Sequence, residues 1–391
     1  MKIASRLARI KPSATLALNA KTQEMRAQGR NVVSLAVGEP DFPTPEHICR
    51  AAKEAIDAGF TRYTAVPGIP ELRKAVAAYY ATFYGVEAPM ESTMVSNGGK
   101  QVLYNLFMAL LEPGDEVLVP TPYWVSYPAM VELADARPVF VKAGAEACFK
   151  ITPESLERAR TSRTRMLILN TPSNPTGCHY SQAELDAIAE WAVNHDIFIV
   201  SDEVYDRLVY APAQPSSLAG LWKRCPEQVA IVGALSKTFA MTGWRLGFVL
   251  AHPDLIKTLT KIQGQSTSNV CSITQKAALA ALTGPWDIVE EMKKSFVRRR
   301  DLVMDVIATW PGAICPKPDG AFYVFPNLRA FMTGDTPDSA SLCQKILEQA
   351  EVALVPGSAF GDDDCVRFSY ALDDETLARS MDKVGRVLMN R

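Results

Sequence analysis

The stretch Val229-Ala-Ile-Val-Gly-Ala-Leu-Ser-Lys-Thr-Phe-Ala-Met-Thr-Gly-Trp-Arg-Leu-Gly-Phe-Val-Leu250 decides how the rest of the chain is read. Val229 to Ala234 is an apolar, β-rich run of the kind that forms a buried strand, and Leu246 to Leu250 is a second. The link between them is about as long as the shortest helical crossover, roughly 10–12 residues. It contains Gly243, a poor helix residue. The spacing therefore predicts an antiparallel pair joined by an open loop rather than a β-helix-β unit. The loop holds Lys237 among apolar neighbours, with Arg245 eight residues further on. A lysine held against apolar groups gives up its proton more readily and becomes a nucleophile. Taken alone, a lysine beside a strand is more often a solvated surface residue.

Upstream, the pattern alternates. Short apolar runs at 94–96, 116–119, 138–141, 166–169 and 197–200 read as strands, separated by segments of helical periodicity such as 102–110 and 181–194. This is the rhythm of an open α/β sheet. Before it, residues 46–58 and 70–84 have helical periodicity. They are separated by Arg62-Tyr-Thr-Ala-Val-Pro-Gly-Ile-Pro70, a loop rich in breakers, and preceded by the turn-rich Ser34-Leu-Ala-Val-Gly-Glu-Pro-Asp-Phe-Pro-Thr-Pro45. Residues 1–40 read as a helix and an extended arm. Residues 286–310 read as a long charged helix, and 312–391 as a smaller α+β unit with strands near 321–325, 352–355 and 365–369. No internal repeat or low-complexity tract interrupts this order.

Bulk properties narrow the function classes. At 391 residues the chain exceeds one ordinary core, which implies two domains. A net charge of −2 argues against an electrostatic nucleic-acid binder. The one dense basic run, Arg298-Arg299-Arg300, is expected on the solvated face of a helix. Eight cysteines (Cys49, Cys148, Cys178, Cys225, Cys271, Cys315, Cys343 and Cys365) are scattered without a Cys-x-x-Cys, as expected for free thiols in a reducing compartment. No apolar run is long enough to span a bilayer, and the charged N-terminus makes a poor signal peptide. The expected location is cytoplasmic, away from membranes.

In open α/β sheets ligands sit at the carboxyl ends of the strands. Here those ends carry Gly98-Gly99 at a helix start, Tyr123-Trp124 among prolines, Asn170 and Asn174, Asp202 with Tyr205, and Ser236-Lys237. A glycine pair opening a helix exposes N–H groups suited to phosphate, although a plain loop-to-helix turn looks the same. The Walker and dinucleotide-binding glycine patterns are both absent. Asp202 suits a helix cap, a metal or a protonated ring nitrogen, and no histidine nearby favours the metal. Trp124 fits either the core or a planar ring to stack on. Arg367, in Cys365-Val-Arg-Phe-Ser-Tyr370, lies in an apolar strand-like run. There it needs an anionic partner, either a bound carboxylate or an internal acid. Together these residues outline a site for a phosphorylated aromatic aldehyde, pyridoxal phosphate.

The same residues carry a family resemblance. Ser236-Lys-Thr-Phe-Ala-Met-Thr-Gly-Trp-Arg-Leu-Gly247 resembles the lysine signature of class I/II pyridoxal phosphate aminotransferases of the aspartate aminotransferase fold. Gly38-Glu-Pro-Asp-Phe, Tyr63 with Pro-Gly-Ile-Pro-Glu-Leu-Arg73, Pro-Tyr-Trp124-Val-Ser-Tyr-Pro, Asn174-Pro-Thr-Gly, Asp202-Glu-Val-Tyr205 and Val-Arg367-Phe-Ser-Tyr follow in family order. The resemblance implies fold type I: a large, mostly parallel-sheet domain over 41–285, a connecting helix and smaller α+β domain over 286–391, and an arm over 1–40 that joins the small domain. It also implies roles. Lys237 binds the cofactor aldehyde and then moves the substrate proton, Asp202 keeps the ring nitrogen protonated, and Trp124 stacks on the ring. Tyr205 and Asn174 reach the ring oxygen, while Gly98, Gly99, Ser236 and Arg245 hold the phosphate. Tyr63 reaches that phosphate from the partner subunit, so the active unit is a homodimer with shared sites. Asn174 and Arg367, with Trp124 and the Gly38 backbone, bind the substrate carboxylate. Ala234 stands where many relatives have a phosphate-binding serine, which shifts that work to Arg245 and the helix N–H groups.

For the substrate side chain, Gly264-Gln-Ser-Thr-Ser-Asn269 lacks the arginine that animal-type aspartate aminotransferases supply from the partner. Lys11-Pro-Ser-Ala-Thr15 and Gly98-Gly-Lys-Gln101 instead look like the bacterial aspartate and aspartate/prephenate subgroup. That similarity implies that Lys100, Lys11, Ser13 and Thr15 read the distal carboxylate. The expected reaction is L-aspartate with 2-oxoglutarate, with prephenate as a second acceptor. The alternatives are an aromatic or neutral amino acid aminotransferase, a carbon–sulfur lyase, or a non-catalytic cofactor-binding module.

Overall fold

The structure is a computed structural model that describes residues 1, 3–10 and 14–389. Among them are twelve strands: β1 (Val33–Ser34), β2 (Thr93–Ser96), β3 (Glu116–Thr121), β4 (Arg137–Lys142), β5 (Thr164–Asn170), β6 (Phe198–Asp202), β7 (Val229–Ala234), β8 (Gly247–Leu250), β9 (Tyr323–Val324), β10 (Val352–Ala353), β11 (Val355–Pro356) and β12 (Val366–Ser369). Seven of them form one sheet in the order β2-β8-β7-β6-β5-β3-β4. β8 is antiparallel to both neighbours, and the remaining pairs are parallel. The antiparallel β7–β8 pair is the one expected from the sequence. Its connecting loop begins with a single helical turn, Leu235–Thr238, that carries Lys237.

Both faces of this sheet are buried. Leu118, Leu167, Leu169, Ile199, Ile231 and Leu250 pack into one apolar cluster. The alternate residues Val117, Val119, Met166, Ile168, Val200, Val232 and Val249 pack into another on the opposite face. Strands covered on both sides need apolar residues at every position, so these segments read as continuous runs rather than alternations. The covering helices include Gly99–Leu110, Gln182–Asn194 and Ser272–Thr283. The second of these starts with a capping box between Ser181 and Glu184.

A separate core gathers Phe296, Phe322, Phe368, Leu342, Ile346 and Met381 around the antiparallel sheet β11-β12-β9. Leu35, Tyr205, Leu208 and Tyr210 join this core although they come from earlier in the chain. Val33 and Ser34 pair in parallel with Val352 and Ala353, which fastens the N-terminal segment to the C-terminal region.

The basic triplet departs from expectation. Arg298 is exposed, but Arg299 and Arg300 are buried in the helix Asp287–Ile307. Three successive helical residues sweep about 200° around the axis, at 3.6 per turn, so they do not share one face. Arg299 makes a bidentate pair with Asp41, at 2.8 and 3.0 Å, and also reaches Asp374 at 2.9 Å. Arg300 pairs with Asp301 and donates to the Pro318 carbonyl. These part-exposed carboxylates and the Pro318 carbonyl compensate the two guanidinium groups as the helix packs them inward.

Candidate active site

Parallel β2, β3, β5, β6 and β7 end at one rim, and reversed β8 begins there. That rim opens into a cavity of about 1160 Å³ lined by Gly99, Lys100, Trp124, Asn174, Asp202, Tyr205, Ser236, Lys237, Arg245 and Arg367, with Gly38 across from them. The strand-end residues singled out in the sequence therefore meet in one place.

Lys237 is partly buried, and its ammonium donates to the Gly38 carbonyl at 2.6 Å. Burial pushes its pKa down to about 8, and the nearby Arg245 and Arg367 cations act in the same direction. Asp202 is buried at the end of β6 and accepts a hydrogen bond from Tyr127 Oη at 2.6 Å. Its main chain is fixed by Asn170, whose Nδ2 donates to the Asp202 carbonyl at 2.9 Å. Burial raises the Asp202 carboxyl to about 6, and the Tyr127 hydrogen bond opposes that rise. A protonated ring nitrogen of a bound cofactor would give this buried carboxylate the charge partner it requires.

Gly98 has φ of +90°, outside the usual range of other residues. It is also where Arg245 approaches: a Cβ there would lie 2.6 Å from Arg245 Nη2. Gly247, the first residue of β8, is crowded in the same way without the unusual φ. A Cβ on it would sit 2.3 Å from the Gly99 nitrogen. No side chain caps the helix that starts at Gly99, so its first N–H groups and the arginine frame an open anion cradle. Ala234 lines the same wall and offers no hydroxyl.

Arg367 is 4% exposed on β12. It donates to Asn174 Oδ1 at 2.9 Å and to the Ala36 carbonyl at 2.6 Å, and its Nε is buried without a partner. Among the described residues no acid pairs with it, so the internal salt bridge considered from sequence does not form. Burial lowers its pKa, the signature of a cation held out of water and short of an anion. Asn174 is itself held by a bond from its N–H to Asn170 Oδ1 at 2.8 Å. Lys100 Nζ stands 4.8 Å from the Trp124 ring centroid. Its pKa is lowered by burial and then by Arg245.

Two functional residues were missed in the sequence. Tyr127, the partner of Asp202, lies within the quoted Pro-Tyr-Trp124-Val-Ser-Tyr-Pro motif, but nothing in its spacing reveals which acid it meets. Tyr323 Oη lies 3.0 Å from Tyr205 Oη, and its ring faces the Arg367 guanidinium at 4.8 Å. It comes from a distant, unremarkable apolar run. Tyr63 is 90% exposed and does not line the cavity of its own chain. Lys11 and Ser13 lie outside the described residues, as does the side chain of Thr15.

An uncapped glycine cradle, a depressed lysine and a buried acid at the rim of the seven-stranded sheet, facing an arginine from β12 that has no acid partner among the described residues, define a fold-type-I site for pyridoxal phosphate, and the residues present fit that group. The profile of the family aminotransferase class I and II matches residues 30–384, and the chain belongs to that family. It is 44% identical to an aspartate aminotransferase of Geobacillus stearothermophilus over 100% of both chains. It is 45% identical to an aspartate/prephenate aminotransferase of Cereibacter sphaeroides, over 97% of this chain and 96% of that one. The solved aspartate aminotransferase of Thermus thermophilus with maleate superposes with a TM-score of 0.94 at 41% identity, covering 99% of this chain and 100% of that one. The chain is a transaminase, and members of its family use pyridoxal phosphate.

Proposed function

We propose that this enzyme transfers the amino group of L-aspartate to 2-oxoglutarate, with prephenate as a second acceptor. The observation that carries this reading is that two cations beyond the phosphate-binding and cofactor-binding ones line one cavity: Arg367, without an acid partner among the described residues, and Lys100. A dicarboxylate needs both, whereas an aromatic or neutral amino acid needs only the first. The relatives named above act on aspartate or on aspartate and prephenate, and one of them holds maleate, a dicarboxylate, in its solved structure.

In this reading Arg367 and Asn174 grip the substrate α-carboxylate, with the Gly38 backbone behind them. Lys100 reads the distal carboxylate, together with Lys11, Ser13 and Thr15. The bound cofactor supplies an electron sink for the bond cleaved at Cα. Lys237 holds the cofactor and, once free, takes the proton from substrate Cα as a neutral amine, a state its lowered pKa favours. Asp202, oriented by Tyr127, holds a proton on the ring nitrogen. Gly98, Gly99, Ser236 and Arg245 bind the phosphate, Trp124 covers one ring face, and Tyr205 and Asn174 address the ring oxygen.

The chain divides, in the same reading, into an arm over 1–40, a cofactor-binding domain over 41–285 and a smaller domain over 286–391. The separate apolar cores support this division, with Tyr205 to Tyr210 as a bridge between them. The active unit is a homodimer in which Tyr63 crosses to the neighbouring site, a role its exposure supports. Eight free thiols suit a reducing cytoplasm. The test is a panel of amino donors and 2-oxo acids ranked by kcat/KM. Aspartate and 2-oxoglutarate should lead it. Preference for alanine or phenylalanine over aspartate would overturn the assignment.

A further inference from the structure

The cavity does not stop at the residues assigned above. Tyr123, Phe140, Ile10 and Glu132 line it as well. Phe140 lies on edge strand β4 and is 50% exposed. Its ring stacks on Tyr123, with centroids 5.1 Å apart and planes 23° from parallel. Tyr123 is in turn fixed from behind. Its N–H donates to the Phe360 carbonyl at 3.0 Å, and a Cβ at Gly361 would come within 2.6 Å of its ring. The two rings therefore form a preset aromatic shelf beside the cavity. A carboxylate, Glu132, lines the cavity too and is near enough to act electrostatically on Tyr123.

The chemistry of the two acceptors says what such a shelf is for. Prephenate is 2-oxoglutarate with C4 built into a cyclohexadiene ring that bears a hydroxyl opposite. The 2-oxo acid group, the methylene and the second carboxylate keep the same connectivity in both molecules. Whatever cations bind 2-oxoglutarate thus bind the same atoms of prephenate, and only the uncharged ring is left over. It needs an apolar face next to the distal-carboxylate site, with a hydrogen-bond acceptor at its far end. A second cation would serve no purpose there.

We propose that the Tyr123–Phe140 shelf is the subsite for the ring of 2-oxoglutarate analogues substituted at C4, and that Phe140 is the residue that lets this enzyme accept them. The ring lies on the free face of Phe140, and its hydroxyl donates to Glu132. The subsite plays no part with 2-oxoglutarate itself, which has nothing to place there. This rests on the reading of Lys100 and Arg367 as the two carboxylate-binding cations.

The test compares kcat/KM for prephenate and for 2-oxoglutarate, with aspartate as donor, in the intact holoenzyme and in Phe140→Ala and Phe140→Leu. Position 140 is half-exposed on an edge strand, so either substitution is tolerated by the fold. In Phe140→Ala the prephenate to 2-oxoglutarate ratio should fall about tenfold, and Phe140→Leu, which keeps an apolar face, should restore most of it. An unchanged ratio in Phe140→Ala overturns the proposal. So does a wild-type enzyme that uses 2-oxoglutarate but not prephenate, a result that leaves the aspartate reading intact. A wild-type enzyme that uses neither removes both.

Discussion

At the scale of single residues, the site works by withholding partners. Among the described residues, Arg367 has a buried Nε with no acceptor, and Lys237 has only a carbonyl for its ammonium. Both are costly in a folded protein unless a ligand completes them. Three predictions rest on the charges themselves. Lys237 should titrate near pH 8 in cofactor-free protein, because its folded pKa is depressed and the reactive neutral amine therefore appears at lower pH than for an ordinary lysine. Labelling by an amine reagent, followed by mass spectrometry of the Lys237 peptide against pH, reads this directly. A midpoint above pH 10 contradicts it. Arg367→Leu should lower kcat/KM for every amino donor by a factor equivalent to about 2–5 kcal/mol, since the cation that pairs with the substrate carboxylate is lost from a largely closed site. Lys100→Ala should instead lower the aspartate to alanine ratio by about tenfold, and equal losses for both donors would remove Lys100 from side-chain recognition.

At the scale of elements, the anion cradle depends on a strand and a helix start touching through glycine. Gly247 faces Ser96 on one side and Ala234 on the other, directly under the Gly98-Gly99 turn. A methyl group there meets main-chain atoms, which no rotamer change relieves. Gly247→Ala should therefore displace the turn, cost about 1–3 kcal/mol in stability, and weaken cofactor retention. Thermal unfolding and a cofactor dissociation constant test both parts, and a variant that matches the parent in each would show that the contact is slack. Elements were the most legible level of the sequence. Strand ends read at 96, 169, 200 and 234 announced a rim, within two residues of the observed ends, because both-face burial makes each strand a solid apolar run with a sharp polar end. What could not be read was which side chains meet across the rim. The Tyr127–Asp202 and Arg367–Asn174 bonds join residues 75 and 193 positions apart, and no local periodicity encodes them. Arg299 was misplaced for a related reason: its carboxylates, Asp41 and Asp374, are invisible from its own helix.

At the scale of the whole molecule, the site draws on nearly the entire chain, from Gly38 to Arg367, and the homodimer proposed above adds Tyr63 from a second copy. Subunit mixing isolates that claim. Tyr63→Ala and Lys237→Ala chains should each be inactive at limiting cofactor. Refolded together in equal amounts, half of the dimers are mixed, and each mixed dimer has one site with both residues intact. Activity should return to about a quarter of the wild-type level, as expected for a two-fold interface. No recovery in a sample that sedimentation shows to contain mixed dimers would exclude a shared site.

Strand β8 is the last of the seven to be synthesised, yet it lies between β2 and β7. β2, the first made, has no sheet neighbour until residue 247 has left the ribosome. A nascent chain that ends before that point can assemble β4-β3-β5-β6-β7, with Asp202 at the end of β6 and Lys237 just past β7, the strand at its open edge. The glycine turn after β2 has nothing to rest on. Catalytic groups and phosphate cradle thus belong to separate stages of a vectorial folding route, and a single short hairpin unites them. Because that hairpin carries Lys237 and Arg245 on one loop, its closure sets the register of both against the cofactor in one event.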